Sequence, residues 1–211
     1  MVGPARETGQ RAKRGRPGYD AEQLLAVAVK VFTERGYDGT TMDDLSVALG
    51  ISKSSIYHHV SGKEELLSRS LDRALDGLEN ALRETVRPTS NADAGDIASI
   101  ARLEQGVRSS VRVLVAELPF VTLLLRVRGN TDVERSALAR RLRIDAEFAE
   151  LVAAAQRAGE LRADAAPQLV ARLVFGSVNS LVEWYRPRRG VGTDALVDAV
   201  CAMVFDGLRP R

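Results

Sequence analysis

Apolar residues along most of this chain recur every three or four positions, which is the spacing of one face of an α-helix. The first such stripe comprises Leu24, Val27, Ala28, Val31 and Phe32. Asp20 stands before the stripe as an N-cap, and Gly36 follows it where a helix would end. The pattern therefore predicts a helix over residues 20–36 that buries one face.

Residues 39–66 have the pattern of a helix-turn-helix, in which two short helices are joined by a tight glycine turn. Thr41 and Asp44 have the spacing of a capping box that opens the first helix. The apolar side of this helix carries Leu45, Ala48 and Leu49. Gly50 ends it, because glycine adopts the left-handed conformation at little steric cost, and Ser52 caps the next helix.

The second short helix is predicted from Ser52 to about His59, with Ile56 and Val60 turned toward the first one. The polar side chains of its outer arc are Lys53, Ser54, Ser55, Tyr57 and His58. Hydroxyl groups allow close approach to a groove, whereas a cation, a phenol and an imidazole reach phosphates or base edges. We predict that this arc contacts DNA, together with Thr41.

A second capping box, Ser61 to Glu64, opens a long helix. It places Lys63 and the helix N-terminus where a phosphate can bind. The alternative is a helical hairpin inside a larger all-α core, with Lys53 and His58 merely solvated. Several independent start, stop and turn signals at compatible spacings favour the DNA-binding interpretation.

At this point the sequence resembles the tetracycline-repressor (TetR/AcrR) family of transcriptional regulators. The resemblance is close over residues 20–67 and architectural beyond them. It is carried by Phe32, Gly36, Gly39-Thr40-Thr41, Asp44-Leu45, Gly50-Ile51-Ser52, Ile56-Tyr57-His58-His59, Lys63-Glu64 and Leu66. The chain departs from the family pattern at Val60, where an aromatic residue is expected, and at Gly62. Val60 keeps an apolar plug of smaller area, so we expect slightly looser packing of the second helix.

The remaining glycine, proline and capping residues predict further helices and no strand, so the expected fold class is all-α. The predicted helices cover residues 62–87, 96–116, 118–128, 131–158, 164–185 and 193–208, with a loop at 89–95. This gives three parts: a disordered basic arm at 1–18, a three-helix helix-turn-helix domain at 19–65, and a helical ligand-binding and dimerisation domain at 66–211.

The last two predicted helices carry apolar residues on more than one face, and both faces need burial. The resemblance implies that these helices pair with their symmetry mates in a four-helix dimer bundle. The residues expected at this homodimer interface are Phe175, Leu196, Val200 and Val204. Gly176 and Ser177 permit a close approach of helices, although packing within one subunit explains them equally well.

The net charge of the whole chain is only +2, so charge is informative mainly at the start of the chain. Residues 1–20 hold five basic and two acidic side chains, among glycines and prolines and without helical periodicity. Arg14 and Arg16 belong to this arm, which we expect to lie in the minor groove beside the recognition helix. The alternative is a solubilising tail.

Composition excludes several function classes. No run of apolar residues is long enough to span a membrane and no signal peptide opens the chain, so we expect a cytoplasmic protein. Cys201, the only cysteine, is expected in a helix core. The only histidines are His58 and His59, and no catalytic constellation, phosphate loop or spaced metal ligands are visible, so we expect neither an enzyme nor a cofactor.

A small-molecule effector is the preferred hypothesis for the C-terminal domain, and a DNA-binding protein without such input is the alternative. Trp184 to Pro187 resembles the sequence in family members that respond to acyl-CoA thioesters, and the arginines on the preceding helices are Arg102, Arg108, Arg112, Arg126 and Arg128. We therefore expect an apolar ligand body against Leu123, Leu124 and Phe148, and an anionic end near Trp184 and Arg186. The predicted function is a homodimeric repressor released from a palindromic operator by an apolar or amphipathic ligand. For each single arginine, a solvated or dimer-rim position is the more common role.

Overall fold

The computed structural model describes residues 20–86, 98–187 and 190–208, which form ten α-helices without a strand. The helices are α1 (Ala21–Arg35), α2 (Met42–Leu49), α3 (Lys53–Tyr57), α4 (Lys63–Val86), α5 (Ser99–Ala116), α6 (Leu118–Arg126), α7 (Asp132–Arg157), α8 (Pro167–Asn179), α9 (Leu181–Trp184) and α10 (Thr193–Leu208). The predicted all-α fold is confirmed. None of the helices in these ranges has the length and apolar character that crossing a membrane requires.

The N-terminal three helices begin and end where local capping predicts. The Asp20 carboxylate accepts a hydrogen bond from the backbone N–H of Gln23 at 2.7 Å. Thr41 and Asp44 form the complete capping box of α2, and Gly50 ends that helix in the left-handed region at φ 65°. The Ser46 hydroxyl donates to the Ile51 carbonyl at 2.5 Å and thereby closes the turn between α2 and α3.

The core of this domain buries most residues of the predicted stripes, and Val27 is partly buried. Leu45, Leu49, Ile56 and Val60 are buried, so the valine at position 60 fills the place of the aromatic plug. Ala48, which was expected on the buried side of α2, is exposed. It lies beyond the edge of a helix that is only eight residues long and buries just two of them.

Helix α4 connects the two halves of the molecule. Its 24 residues span about 36 Å at the rise of an α-helix. Leu66 and Leu67 are buried at its start, and Leu75 and Leu82 are buried farther along. Its capping differs from the prediction, because the backbone N–H and the hydroxyl of Ser61 both donate to Glu65 rather than to Glu64.

The C-terminal helices pack around α4 and against each other, with α5 and α7 beside α4 and α8 against α7. Most predicted boundaries agree to within three residues, although residues 87–97 lie outside the described part of the chain. The helix expected over 164–185 begins at Pro167 and is divided near Ser180 into α8 and α9. Proline favours the first turn of a helix, which explains the later start.

Two arginines hold α4 against its neighbours. Arg140 on α7 lies within 2.9 Å of carboxylate oxygens of Asp72, Asp76 and Glu79. Arg73 on α4 binds Glu117 at 2.6 Å, between α5 and α6, and Glu22 on α1 at 2.9 Å. The first arginine joins α4 to α7, and the second joins the helix-turn-helix domain to the rest of the molecule.

Candidate DNA-binding surface and ligand cavity

The recognition helix α3 presents the polar arc that the sequence predicted. Lys53, Ser54, Tyr57 and His58 are exposed and Ser55 is partly buried. The hydroxyls of Ser54 and Ser55 each lie 2.9 Å from the hydroxyl of Ser52, the N-cap. The arc therefore offers hydroxyl, ammonium, phenol and imidazole groups on one side of a single turn and a half of helix, the chemistry that a DNA groove and its phosphates accept.

The four remaining residues predicted to contact DNA have different settings. Thr41 is exposed, and its hydroxyl is engaged in the capping box with Asp44 at 2.6 Å. Arg14 and Arg16, with the rest of the predicted arm, lie outside the described residues. The fourth residue, Lys63, contacts the backbone of the loop between α1 and α2.

The Lys63 ammonium donates to the backbone carbonyls of Tyr37 at 3.0 Å and Thr40 at 2.9 Å. It also lies 4.3 Å from the centre of the Tyr37 ring, within the range of a cation–π interaction. Lys63 therefore holds the loop between α1 and α2 against the start of α4. Since an ammonium has three donors, only one N–H is left for the predicted phosphate contact.

Lys53 has a partner of a different kind. Its ammonium lies 2.8 Å from the Asp43 carboxylate on α2, and both side chains are well exposed. This hydrogen bond with Asp43 raises the pKa of Lys53. An exposed ion pair contributes little to stability, so Lys53 can exchange Asp43 for a phosphate at small cost.

The C-terminal domain contains a chamber of about 30 Å³ enclosed by α4, α5, α6, α7 and α8. Its apolar wall includes Leu78, Leu114, Val121, Leu124, Ile144 and Val178. Beside it, an open cleft of about 490 Å³ lies between α7 and α8. Arg141, Asp145, Phe175 and Asn179 line both spaces. We call these four residues the neck, because they stand where the chamber meets the cleft.

Asp145 is the carboxylate of the neck. Partial burial raises its pKa, while the nearby positive charges of Arg141 and Arg172 act in the opposite direction. The sequence analysis missed this residue, although a signal existed. Asp145 lies on the inward stripe of α7, three residues before Phe148, in a place where apolar residues are the rule.

The structure brings together only part of the predicted ligand site. Leu124 lines the chamber, and Phe148 is buried with its ring 4.6 Å from the ring of Phe175 in the neck. Leu123 is buried but does not line the chamber or the cleft. Trp184 is 59% exposed, and the Arg186 guanidinium donates to the carbonyls of Tyr185 and Glu183. Neither Trp184 nor Arg186 lines the cavity.

The predicted dimer residues are mostly buried within one subunit. Leu196 and Val200 on α10 are 4% and 7% exposed, and Phe175 on α8 contributes to the neck. Val204, at 8% exposed, forms part of the floor of a groove of about 400 Å³ between α8 and α10. These residues were assigned to the interface from the family resemblance and the apolar faces of both helices. Apolar periodicity shows that a face is buried but not what covers it. In this structure α5 packs against α10 from inside the subunit.

Exposed apolar side chains also lie on the outside of the same two helices. Leu169 and Leu173 on α8 and Met203 on α10 are 50%, 63% and 62% exposed. Leu173 and Met203 both line the groove between α8 and α10. The residues predicted at the interface lie mostly on the inner side of α8 and α10, and their role in a dimer stays a prediction.

Comparisons with known proteins identify the family of both domains. The profile described as "Bacterial regulatory proteins, tetR family" matches residues 24–69, and the profile "Tetracyclin repressor-like, C-terminal domain" matches residues 96–208. The HTH-type transcriptional repressor KstR2 of Rhodococcus jostii (strain RHA1) is 31% identical over 191 residues, covering 88% of this chain and 89% of that protein.

Two further matches extend over most of the chain. The HTH-type transcriptional activator FasR of Mycolicibacterium smegmatis is 30% identical over 193 residues, covering 88% of this chain and 81% of that protein. The crystal structure of a TetR-family member from Streptomyces coelicolor A3 is 55% identical, with a TM-score of 0.78, and the match covers 90% of this chain and 92% of that one. The chain therefore belongs to the TetR family of helix-turn-helix transcriptional regulators.

Proposed function

We propose that this protein is a homodimeric repressor that leaves a palindromic operator when an amphipathic ligand enters the chamber from the cleft between α7 and α8. The observation that carries this proposal is the position of α6. Val121, Leu124 and Leu125 on this helix line the chamber, and α6 also contacts α1 of the helix-turn-helix domain. One helix is therefore in contact with both the chamber and the helix-turn-helix domain.

The contact between the two domains is polar as well as apolar. The Arg126 guanidinium at the end of α6 donates to the Thr33 carbonyl near the end of α1 at 2.9 Å. At the other end of α6, the Arg73 guanidinium lies 4.5 Å from the centre of the Phe120 ring and also binds Glu22 on α1. A shift of α6 therefore changes the contacts that orient α1 and, through the small domain core, α3.

The geometry of an operator makes such a shift effective. Two recognition helices of a dimer must lie about 34–36 Å apart to occupy successive turns of one face of DNA. A ligand that binds more tightly to a dimer of different spacing moves the population away from the operator. A hundredfold loss of affinity requires about 2.7 kcal/mol of differential binding, which the burial of part of an apolar ligand supplies.

The relatives include both signs of regulation. KstR2 of Rhodococcus jostii is a repressor and FasR of Mycolicibacterium smegmatis is an activator, at nearly equal identity and coverage. Repression follows most simply from dimer binding over a promoter, since it requires no contact with other proteins. A reporter gene behind the bound operator, measured with and without this protein, decides the sign.

A second candidate is a constitutive regulator without small-molecule input. The size of the chamber favours it, because about 30 Å³ holds little more than one water molecule. Under our proposal the chamber expands when a ligand enters, at the expense of contacts between α6, α7 and α8. The constitutive candidate requires no expansion, so the two candidates differ in whether any ligand changes operator affinity.

The test begins with an operator selected from random duplexes and a fluorescence anisotropy assay of its complex. Fatty acids, acyl-CoA thioesters, free coenzyme A and a cationic dye are titrated against that complex. We expect release by amphipathic anions in the wild type. Ser110→Val, which fills part of the chamber, should keep operator affinity and lose release.

The matched control is Trp184→Ala, which alters an exposed side chain outside the cavity. It should release the operator as the wild type does. If Trp184→Ala abolishes release and Ser110→Val does not, the ligand binds near Trp184, as the sequence resemblance suggested. If none of the compounds changes operator affinity, the constitutive candidate replaces our proposal. Thermal melting of both variants confirms that each is folded.

A further inference from the structure

The carboxylate of Asp145 occupies an unusual place in the cavity. It is partly buried between the apolar chamber and the open cleft, and both spaces touch it. Among the residues that the structure describes, none donates a hydrogen bond to it, and its interactions with Arg141 and Arg172 are electrostatic only. Since the carboxylate is partly withdrawn from water, a donor supplied by a ligand would offset part of the cost of that burial.

The surroundings of Asp145 restrict what that donor can be. Two arginines, Arg141 and Arg172, line the cleft beside this single carboxylate, so the entrance is positive overall. A positive entrance repels a cationic ligand and attracts an anionic one. A ligand that suits both features carries a neutral donor, such as a hydroxyl, for Asp145 and an anionic end that stays outside.

We propose that Asp145 is a specificity-determining residue that selects amphipathic acids with a hydroxyl group near the acidic end. In this arrangement the apolar chain enters the chamber, the hydroxyl donates to Asp145 in the neck, and the acid group binds Arg141 and Arg172 in the cleft. The inference rests on the function proposed above, because it assigns the ligand of the same cavity. It adds the chemical group by which the protein distinguishes one acid from another.

The spacing on α7 supports a hydroxyl close to the acid. Arg141 and Asp145 are four residues apart on one helix, so their side chains start about 6 Å from each other on the same face. A 3-hydroxy acid separates its two polar groups by only two carbon atoms, which suits this distance once the long arginine side chain bends toward the ligand. A hydroxyl at the far end of the chain would instead lie in the apolar chamber.

The experiment compares 3-hydroxydecanoate with decanoate, which differ only in that hydroxyl, by isothermal titration calorimetry on the full-length protein. A hydrogen bond to a charged acceptor changes affinity by roughly tenfold to a hundredfold. We expect the wild type to prefer the hydroxy acid by about that factor. Asp145→Leu should remove the preference, because it tightens decanoate binding and leaves the hydroxyl without an acceptor.

The matched control is Glu147→Gln, which removes an exposed carboxylate on the same helix and should leave the preference unchanged. Equal affinity of the wild type for both acids, or a preference that survives in Asp145→Leu, overturns the role of Asp145 while the proposed function stands. Failure of both acids to bind the wild type overturns the ligand class assigned here. The anisotropy screen with other ligands then decides the proposed function separately.

Discussion

At the scale of single residues, Lys63 and Lys53 carry the same charge in different settings. Lys63→Met removes an ammonium that donates to the carbonyls of Tyr37 and Thr40, leaving both without that partner. We expect the free energy of unfolding to fall by about 1–3 kcal/mol. Lys53→Met removes only an exposed ion pair with Asp43 and should cost about 0–1 kcal/mol. Urea denaturation followed by circular dichroism measures both values.

The same two variants test the predicted phosphate contacts. If the remaining N–H of Lys63 binds a phosphate, Lys63→Met also lowers the slope of log affinity against log salt by about one. If the role of Lys63 is only to hold the loop, operator affinity falls while that slope is unchanged. Equal stability of Lys63→Met and the wild type would contradict the structural role described here.

A second prediction for a single residue concerns the effect of Asp145 on the stability of the protein. Because burial raises the pKa of Asp145, the protonated form is more favoured in the folded protein than in the unfolded chain. The favourable contribution of such a group is complete below its unfolded pKa of about 4 and is lost as the pH rises through the folded value. Asp145→Asn should therefore raise the melting temperature at neutral pH, with a smaller gain near about pH 4.5. A gain independent of pH would contradict this account.

The sequence was informative about single residues where their contacts are local. The caps at Asp20, Thr41 and Ser52 depend on an N–H three residues away, so their roles followed from spacing. The partners of Lys63 lie 23 and 26 residues away in the chain, which no local pattern reveals. Asp145 belongs to the same class, because its significance depends on the residues of α8 that face it.

Between helices, the contact of Arg140 with α4 allows a prediction with a defined pH dependence. The Arg140 guanidinium is 19% exposed and binds carboxylates at Asp72, Asp76 and Glu79. Its hydrogen bond to Glu79 lowers the pKa of that carboxyl. This contribution is therefore present above the unfolded pKa of about 4.3 and is lost as the pH falls through the folded value.

We expect Arg140→Met to lower the free energy of unfolding by about 1–3 kcal/mol at neutral pH, because three carboxylates on α4 then lack their shared partner. The loss should shrink as the pH falls below about 4. Arg69→Met, which removes an ion pair with Glu65 within α4 itself, is the control and should cost less than about 0.5 kcal/mol. A loss that is the same in acid would show that the arginine stem, rather than its charge, holds α7 to α4.

Helix existence and boundaries were largely predictable, since proline, glycine and capping residues mark them locally. The neighbour that covers the buried face of each helix was not predictable. The apolar residues Val200 and Val204 on α10 are buried within the subunit. On the adjacent side of α10, ion pairs join it to α5, between Arg108 and Asp198 and between Arg112 and Asp194. Those arginines were considered for the ligand or the dimer rim, whereas they join two helices of one subunit. The chamber was equally hidden, because five helices contribute to its wall.

For the whole molecule, we expect two subunits to associate through the exposed face of α8 and α10. Gly176 on α8 supports this, since a Cβ added there would meet nothing within 4 Å inside the subunit. A glycine in a helix interior costs about 1 kcal/mol relative to alanine. Within the described part of the chain no neighbouring atom requires a glycine at this position, whereas close approach of a partner helix would.

Leu173→Glu and Val200→Glu therefore have different expected outcomes. Leu173 is 63% exposed, so its replacement should give a folded monomer that melts near the wild-type temperature and binds the operator at least a hundredfold more weakly, because one recognition helix contacts only half a site. Val200 is 7% exposed within the subunit, so Val200→Glu should unfold or aggregate. Analytical ultracentrifugation, circular dichroism and operator anisotropy measure these outcomes. A wild-type protein that sediments as a folded monomer at micromolar concentration, or a Leu173→Glu variant that remains dimeric, would place the subunit interface elsewhere on the molecule.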